Sequence, residues 1–379
     1  MRRTVLGLVA LVAACDASDT ADVGTPDRAD ASVDAPGPDA PGLDAPGLDA
    51  PASRDDAPST GLLRDRHPGD EGLADDPAVL FFDDFESGWG RWDAPSADTA
   101  HLFVETSDVA HAGARHLRAT VTHDQLREDM YIGAAPRVLL SRAVPDLYVR
   151  LHARFVGIAP NPHHWIRFSA GDASFSSSGL ANTVPPGDQG FWFDWDASLE
   201  NTFSFYAYWF RMRSGRCNDG TAVPGCAGDQ GTTYYYGNTF VPPDQAEGGF
   251  ERDRWICLEL GMHVNTVGES DGALEAWIDD VPVGRFGPGE PVGTWLRDRF
   301  HPGGCSFSAC TEPVPFEGFE FRSEDDVLFK ELFLDSYYQL DTWERSRDEL
   351  ASRGLTVAES STILYDDVVA ATERIGCRR

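Results

Sequence analysis

Tyr148, Arg150, His152 and Arg154 recur at every second position. On a β-strand that spacing puts all four on one face, because successive side chains point to opposite sides. Their types suit one kind of chemistry. Removing a proton alpha to a carboxylate takes a cation to neutralise the carboxylate, a base and an acid. The arginines would neutralise, His152 would act as base and a tyrosine as acid. Tyr206, Tyr208 and His263 are further candidates on other strands. The competing reading is a polar strand face tied by cross-strand ion pairs.

A second set would hold sugar rather than react with it. The rings of Tyr148, Trp255 and Trp277 could stack on pyranose faces, while Glu259 and Glu275 bond hydroxyls. Hydrolysis of a glycoside needs two carboxylates across the bond. The run Glu269, Asp271, Glu275 approaches such a pattern, but its last spacing is one residue too long and Asp271-Gly272 reads as a turn. His163 and His164 are adjacent, so on a strand they diverge and fit a strand-edge pair better than a metal site. No phosphate-binding Gly-rich loop, Gly-x-Ser-x-Gly elbow or His-Glu-x-x-His motif occurs.

These residues need strands to carry them. From residue 79 onward, short aromatic and β-branched runs alternate with Gly/Pro/Asp turns, the pattern of an all-β sandwich. Strands are expected at 79–85, 116–122, 148–156, 164–168, 191–195, 203–212, 255–264, 274–278, 316–321, 328–338 and 364–370. One helix is expected at 342–353, with charges at i, i+4 spacing and Gly354 after it. Alternation assigns the core faces. Val149, Leu151, Ala153 and Phe155 point inward; so do Ile256, Leu258, Leu260, Met262 and Val264. Phe203, Phe205, Ala207 and Trp209 oppose Ser204, Tyr206 and Tyr208.

The chain has 379 residues and a formal charge of -31, from 62 acidic and 31 basic residues. That balance opposes general nucleic-acid binding, which needs a basic footprint. At the start, Arg2 and Arg3 precede an apolar run from Thr4 to Val12, then Ala13, Ala14 and Cys15. Charge, length and small residues describe a secretory signal over 1–14, and the run is too short to span a bilayer. Val-Ala-Ala-Cys resembles the bacterial lipobox, which implies lipidation of Cys15 and a chain anchored to a membrane of the envelope, facing the periplasm or the cell surface. The alternative is a cleaved signal with a chance cysteine. Residues 15–78 are rich in Asp, Ala, Pro and Gly, with Asp-Ala-Pro repeats beginning at Asp34, Asp39, Asp44 and Asp49. Such a segment is expected to be a disordered linker, leaving 79–379 as one domain and the chain as a monomer.

With Cys15 set aside, six of the seven cysteines remain. An even number in an exported chain argues for disulfides. Spacing favours Cys217–Cys226, Cys305–Cys310 and Cys257–Cys377 among the possible pairings, and no zinc spacing occurs.

The stretch Arg254-Trp255-Ile256-Cys257-Leu258-Glu259, with Val264-Asn265-Thr266, Gly268, Asp271-Gly272 and Ala276-Trp277-Ile278-Asp279, is distinctive. Together with Leu364-Tyr365-Asp366-Asp367-Val368-Val369 and Ile375-Gly376-Cys377, it resembles concanavalin A-like jelly-roll proteins. The nearest group is the glucuronan-lyase-like polysaccharide lyases and the related fungal cellulose-induced proteins. The resemblance is firm over residues 251–280 and the last strand. It implies a two-sheet antiparallel jelly roll, a carbohydrate groove and a structural calcium. Asp84 and Glu86 near the first strand, with Asp366 and Asp367 in the last, are the candidate calcium ligands, since hard carboxylate oxygens suit that ion; the competing reading is turn residues or solvated strand ends. The alginate-lyase signatures Arg-Ser/Thr-Glu-Leu-Arg and Gln-Ile-His are absent. The expected function is polysaccharide binding with cleavage of a uronate-containing glycan by β-elimination. The alternatives are a non-catalytic carbohydrate-binding or adhesion domain, or a structural envelope lipoprotein.

Overall fold

The computed structural model describes residues 61–88, 92, 101–127, 131–134, 136–171, 175, 180–231, 234–306 and 309–378. The signal segment, Cys15 and the Asp-Ala-Pro repeats lie outside these residues.

The strands are β1 (Val79–Asp83), β2 (Leu102–Thr106), β3 (Arg115–Thr122), β4 (Tyr131–Ala134), β5 (Arg137–Val144) and β6 (Asp146–Val156). They continue with β7 (His164–Gly171), β8 (Gly190–Ala197), β9 (Phe203–Tyr208), β10 (Asn238–Phe240), β11 (Ile256–His263) and β12 (Ala273–Ile278). The last six are β13 (Val281–Phe286), β14 (Val292–Leu296), β15 (Arg299–Pro302), β16 (Val314–Pro315), β17 (Phe329–Gln339) and β18 (Ser360–Ala371). Among the described residues two α-helices join them, α1 (Leu63–Arg66) and α2 (Leu340–Ser352).

Sheet 1 runs β13-β12-β11-β6-β18-β3-β2, with β1 also paired to β18. Sheet 2 runs β16-β14-β15-β10-β9-β8-β7-β17-β4, with β5 also paired to β17. All pairings are antiparallel except β10 with β15. The result is the expected jelly-roll sandwich, and its core follows the alternation. Val149, Leu151, Ala153, Phe155, Leu258 and Leu260 of sheet 1 meet Phe191, Phe193, Trp195, Phe203, Phe205 and Ile166 of sheet 2, all buried. Rings of this size dominate core burial, and several meet edge-to-face, as Phe193 and Phe205 do at 6.1 Å.

Three expectations need correction. Residues 316–321 form no strand. Phe316, Phe319 and Phe321 are buried, but Gly318 has φ +85° and only a single bridge, Gly272 to Phe319, forms there. β9 ends at Tyr208 rather than residue 212, because a turn bonds Met212 N–H to the Trp209 carbonyl at 3.2 Å. Residues 62–78 are not linker. Leu63, Leu73 and Ala78 are buried against Val369, Ala371 and Ile375 on the outer side of sheet 1. The three disulfides are the ones that spacing favoured: Cys217–Cys226, Cys257–Cys377 and Cys305–Cys310.

Candidate functional site

The outer face of sheet 1 carries most of the sequence candidates, and the chain's own ends cover much of it. Arg150 is fully buried. Its Nη2 lies 2.6 Å from Asp70 Oδ2 and its Nη1 3.1 Å from Oδ1. The same guanidinium donates to the Asp367 and Gly376 carbonyls at 3.2 and 3.4 Å. Arg150 is therefore a packing cation, not a free neutraliser. Glu259 is 1% exposed and accepts the Ile375 N–H at 2.6 Å, while its other oxygen pairs with Arg374 at 3.0 Å. The Arg374 guanidinium also caps the Trp277 ring at 3.9 Å. The Cys257–Cys377 disulfide staples this tail to β11. Trp255 bonds the Val109 carbonyl at 2.7 Å.

His152 is 2% exposed and stacks on His111, ring centroids 3.6 Å apart. Burial, with Arg150 nearby, holds its proton affinity well below the usual range. Arg154 has its Nε buried with no hydrogen-bond partner. His263 is tied to Asp146 at 2.8 Å, with the Tyr148 hydroxyl at 3.4 Å. Burial opposes its protonation, but the Asp146 and Glu275 carboxylates outweigh it and push His263 up to about 9. Glu275 is itself paired with Arg285 at 2.8 Å. Burial pushes the Tyr148 hydroxyl up. The expected union of His152 with Tyr206 or Tyr208 fails, because β6 belongs to sheet 1 and β9 to sheet 2.

The four expected calcium ligands do not gather around one point. Among the described residues, the acid and histidine groups that do converge are His111 with His152 and Asp367, and His164 with Asp194 and Asp196. Asp366 accepts N–H groups from His111 at 2.9 Å, Ala112 at 3.3 Å and Asp367 at 2.9 Å. Glu86 Oε1 accepts those of Ala114 and Arg115, both at 2.7 Å, and Asp84 accepts that of Glu86 at 3.2 Å. Asp367 is held by His111 at 2.6 Å and by Arg378. Both oxygens of Asp366 and of Asp367, and one oxygen each of Asp84 and Glu86, thus face hydrogen donors of the chain.

Sheet 2 offers the better site. On its outer face Trp192, Asp194 and Asp196 of β8 lie opposite Tyr208, Tyr206 and Ser204 of β9. On the other side, β7 sets Arg167 against Asp194 and Ser169 against Trp192. β17 follows with Tyr337 opposite His164. Arg167 forks onto Asp194 at 2.8 and 3.0 Å, reaches Asp335 at 3.3 Å and lies 4.3 Å over the Trp192 ring. His164 Nδ1 sits 3.0 Å from Asp194 and 3.2 Å from Asp196. Tyr206 and Tyr337 flank the same imidazole at 5.1 and 5.7 Å, and Tyr208 stacks on Trp192 at 4.7 Å.

Charge in this cluster is shared unevenly. Burial works against a charged His164, yet Asp194 and Asp196 outweigh it and push the imidazole up to about 10. Burial raises both aspartates, but Arg167 and His164 win at Asp194, which falls below the usual range. At Asp196 burial wins and pushes it up to about 6. Asp335 is also raised by burial. Burial raises Tyr206 well above its usual value, although its oxygen accepts the Gly237 N–H at 2.9 Å. The cluster thus holds a fixed cation, a carboxyl raised to about 6 and a phenol, beside the partly exposed rings of Tyr206 and Tyr337.

Sequence reasoning found Tyr206 and Tyr208 here but missed His164, Arg167, Trp192, Asp194, Asp196 and Tyr337. A signal existed in Trp192, Asp194 and Asp196, which alternate with Phe191, Phe193 and Trp195.

No family model matches this sequence, and no curated protein matches it. Among solved structures, the chain is similar to an endo-β-1,4-glucuronan lyase from the fungus Trichoderma reesei, at 13% identity and a TM-score of 0.41, covering 78% of this chain and 95% of that one. It is similar to the alginate lyase vAL-1 from Chlorella virus at 10% identity and a TM-score of 0.43, covering 77% and 99%. The cellulose-induced protein Cip1 matches at 15% identity and a TM-score of 0.38, covering 78% and 99%.

Proposed function

We propose that this β-sandwich binds a polysaccharide along the outer face of sheet 2, with β-elimination of a uronate as its reaction. The observation that carries this reading is the row of Trp192, Tyr206, Tyr208 and Tyr337 interleaved with His164, Arg167, Asp194 and Asp196. Tyr206 and Tyr337 are partly exposed and offer ring faces beside hydrogen-bonding charges, as a sugar chain requires, whereas Trp192 and Tyr208 are buried and stack on one another with Arg167 over Trp192, so they back the site from beneath. In the reaction, His164 and Arg167 supply positive charge for the uronate carboxylate. Asp196, raised to about 6 and ionised at neutral pH, takes the proton from the sugar carbon. Tyr206, a phenol that burial keeps protonated beside His164, gives its proton to the leaving oxygen, so one proton is taken up and one delivered as the carbon–oxygen bond breaks.

A second reading, binding without cleavage, is favoured by the pairing of Arg167 with Asp194 at 2.8 Å, which already satisfies the guanidinium. Incubation with a panel of uronans, read by the absorbance of unsaturated product, decides between the two. Product supports elimination. Binding without product supports the second reading, and the absence of both binding and product removes the glycan proposal. For the leader we propose lipidation at Cys15 and an envelope location. Fatty-acid labelling that is unchanged in Cys15→Ser would rule the anchor out.

A further inference from the structure

We infer that the junction between the first and last strands is closed by a latch of N–H donors and cations from the chain itself, in place of a calcium ion. This inference stands apart from the glycan reading. The latch is loop 107–115, which lies over His152 and links β2 to β3.

Three carboxylates, Asp366, Asp367 and Glu86, hold that loop through hydrogen donors. Asp366 takes the backbone N–H groups of His111 and Ala112. Asp367 takes the His111 ring at 2.6 Å and the Arg378 guanidinium. Glu86 takes the N–H groups of Ala114 and Arg115. Asp83 folds back onto the Phe85 N–H at 2.9 Å and so shapes the turn that leads to Glu86. Gly113 makes the Glu86 contact possible, since a Cβ there would lie 2.4 Å from Glu86 Oε1. On the far side the Trp255 indole bonds Val109. A calcium ion would need the same oxygens turned inward, toward one another and away from their donors. The positive charge it would bring is already present in Arg378 beside Asp367, with Arg150 bonded to the Asp367 carbonyl.

The test is thermal melting of the full chain with chelator, then with excess calcium chloride, together with calorimetric titration of calcium. The inference expects a melting shift below about 2 °C in either direction and no saturable heat. Destabilisation by chelator, or a saturable calcium isotherm with a higher melting temperature, overturns it. Two variants test the donors directly. Glu86→Gln keeps an oxygen acceptor but loses the charge, and is expected to melt within about 2 °C of the parent. Gly113→Ala forces Glu86 off its amides and is expected to open loop 107–115 to protease. A large loss in Glu86→Gln that calcium restores in the parent alone, or an unchanged cleavage pattern in Gly113→Ala, would also overturn the latch.

Discussion

Asp196 and Tyr206 carry the sharpest tests at the scale of single residues. Burial holds Asp196 near 6, above its usual value of 3.8. Between those two values the folded chain keeps a proton that the unfolded chain has released. Stability contributed by this group therefore falls as pH rises through that window. Denaturation midpoints measured across it are expected to show that fall in the parent and a flatter profile in Asp196→Asn. Tyr206→Phe keeps the ring and removes the hydroxyl. Product formation from a uronan is expected to fall by about a hundredfold or more, while glycan affinity measured by calorimetry changes by less than about tenfold. Tyr206 was legible in the sequence because strict alternation separates it from Phe205 and Ala207. His164 was not. The two-residue rule places His163 and His164 on opposite faces, and nothing local shows that Asp194 and Asp196, thirty residues later, turn toward one of them.

Among the elements, the inner strands were the readable part. β6 and β11 alternate apolar with polar residues, so their core faces follow from period two, whereas β18 is buried on both faces and shifts register between Asp366 and Val369. Short outer strands such as β10, β14 and β16 have too few residues to show a period, and β5 alternates on a largely exposed edge. The furrow expected on sheet 1 was misplaced for a different reason. Alternation shows which residues leave the core but not what then covers them. Here the cover is the segment around Asp70 and the tail at 373–378. Arg150 is the measure of that cover. Asp70→Ala leaves a fully buried guanidinium with only carbonyl partners, and a loss of about 3–5 kcal/mol is expected in chemical denaturation. If Asp70→Ala unfolds like the parent, the segment does not hold the face.

For the molecule as a whole, the two ends of the described chain act as one unit. Leu63 and Arg64 donate their N–H groups to the Arg374 and Ile375 carbonyls at 3.0 and 2.9 Å. Leu63→Ala removes a fully buried side chain from that joint and is expected to cost about 2–5 kcal/mol by urea denaturation. Opening Cys257–Cys377, whose partners are 120 residues apart, is expected to cost about 4–5 kcal/mol and to raise the solvent exposure of Trp277, read by its fluorescence. Composition could not reveal this joint, because residues 62–78 share the acidic, proline-containing character of what precedes them. The joint also sets where mechanical load enters. A pull applied at residue 62 passes through two backbone hydrogen bonds to residues 374–375, and two positions further on it meets a covalent crosslink into the middle of sheet 1. Load that enters at this joint is thus passed first to β11 and its neighbours in sheet 1.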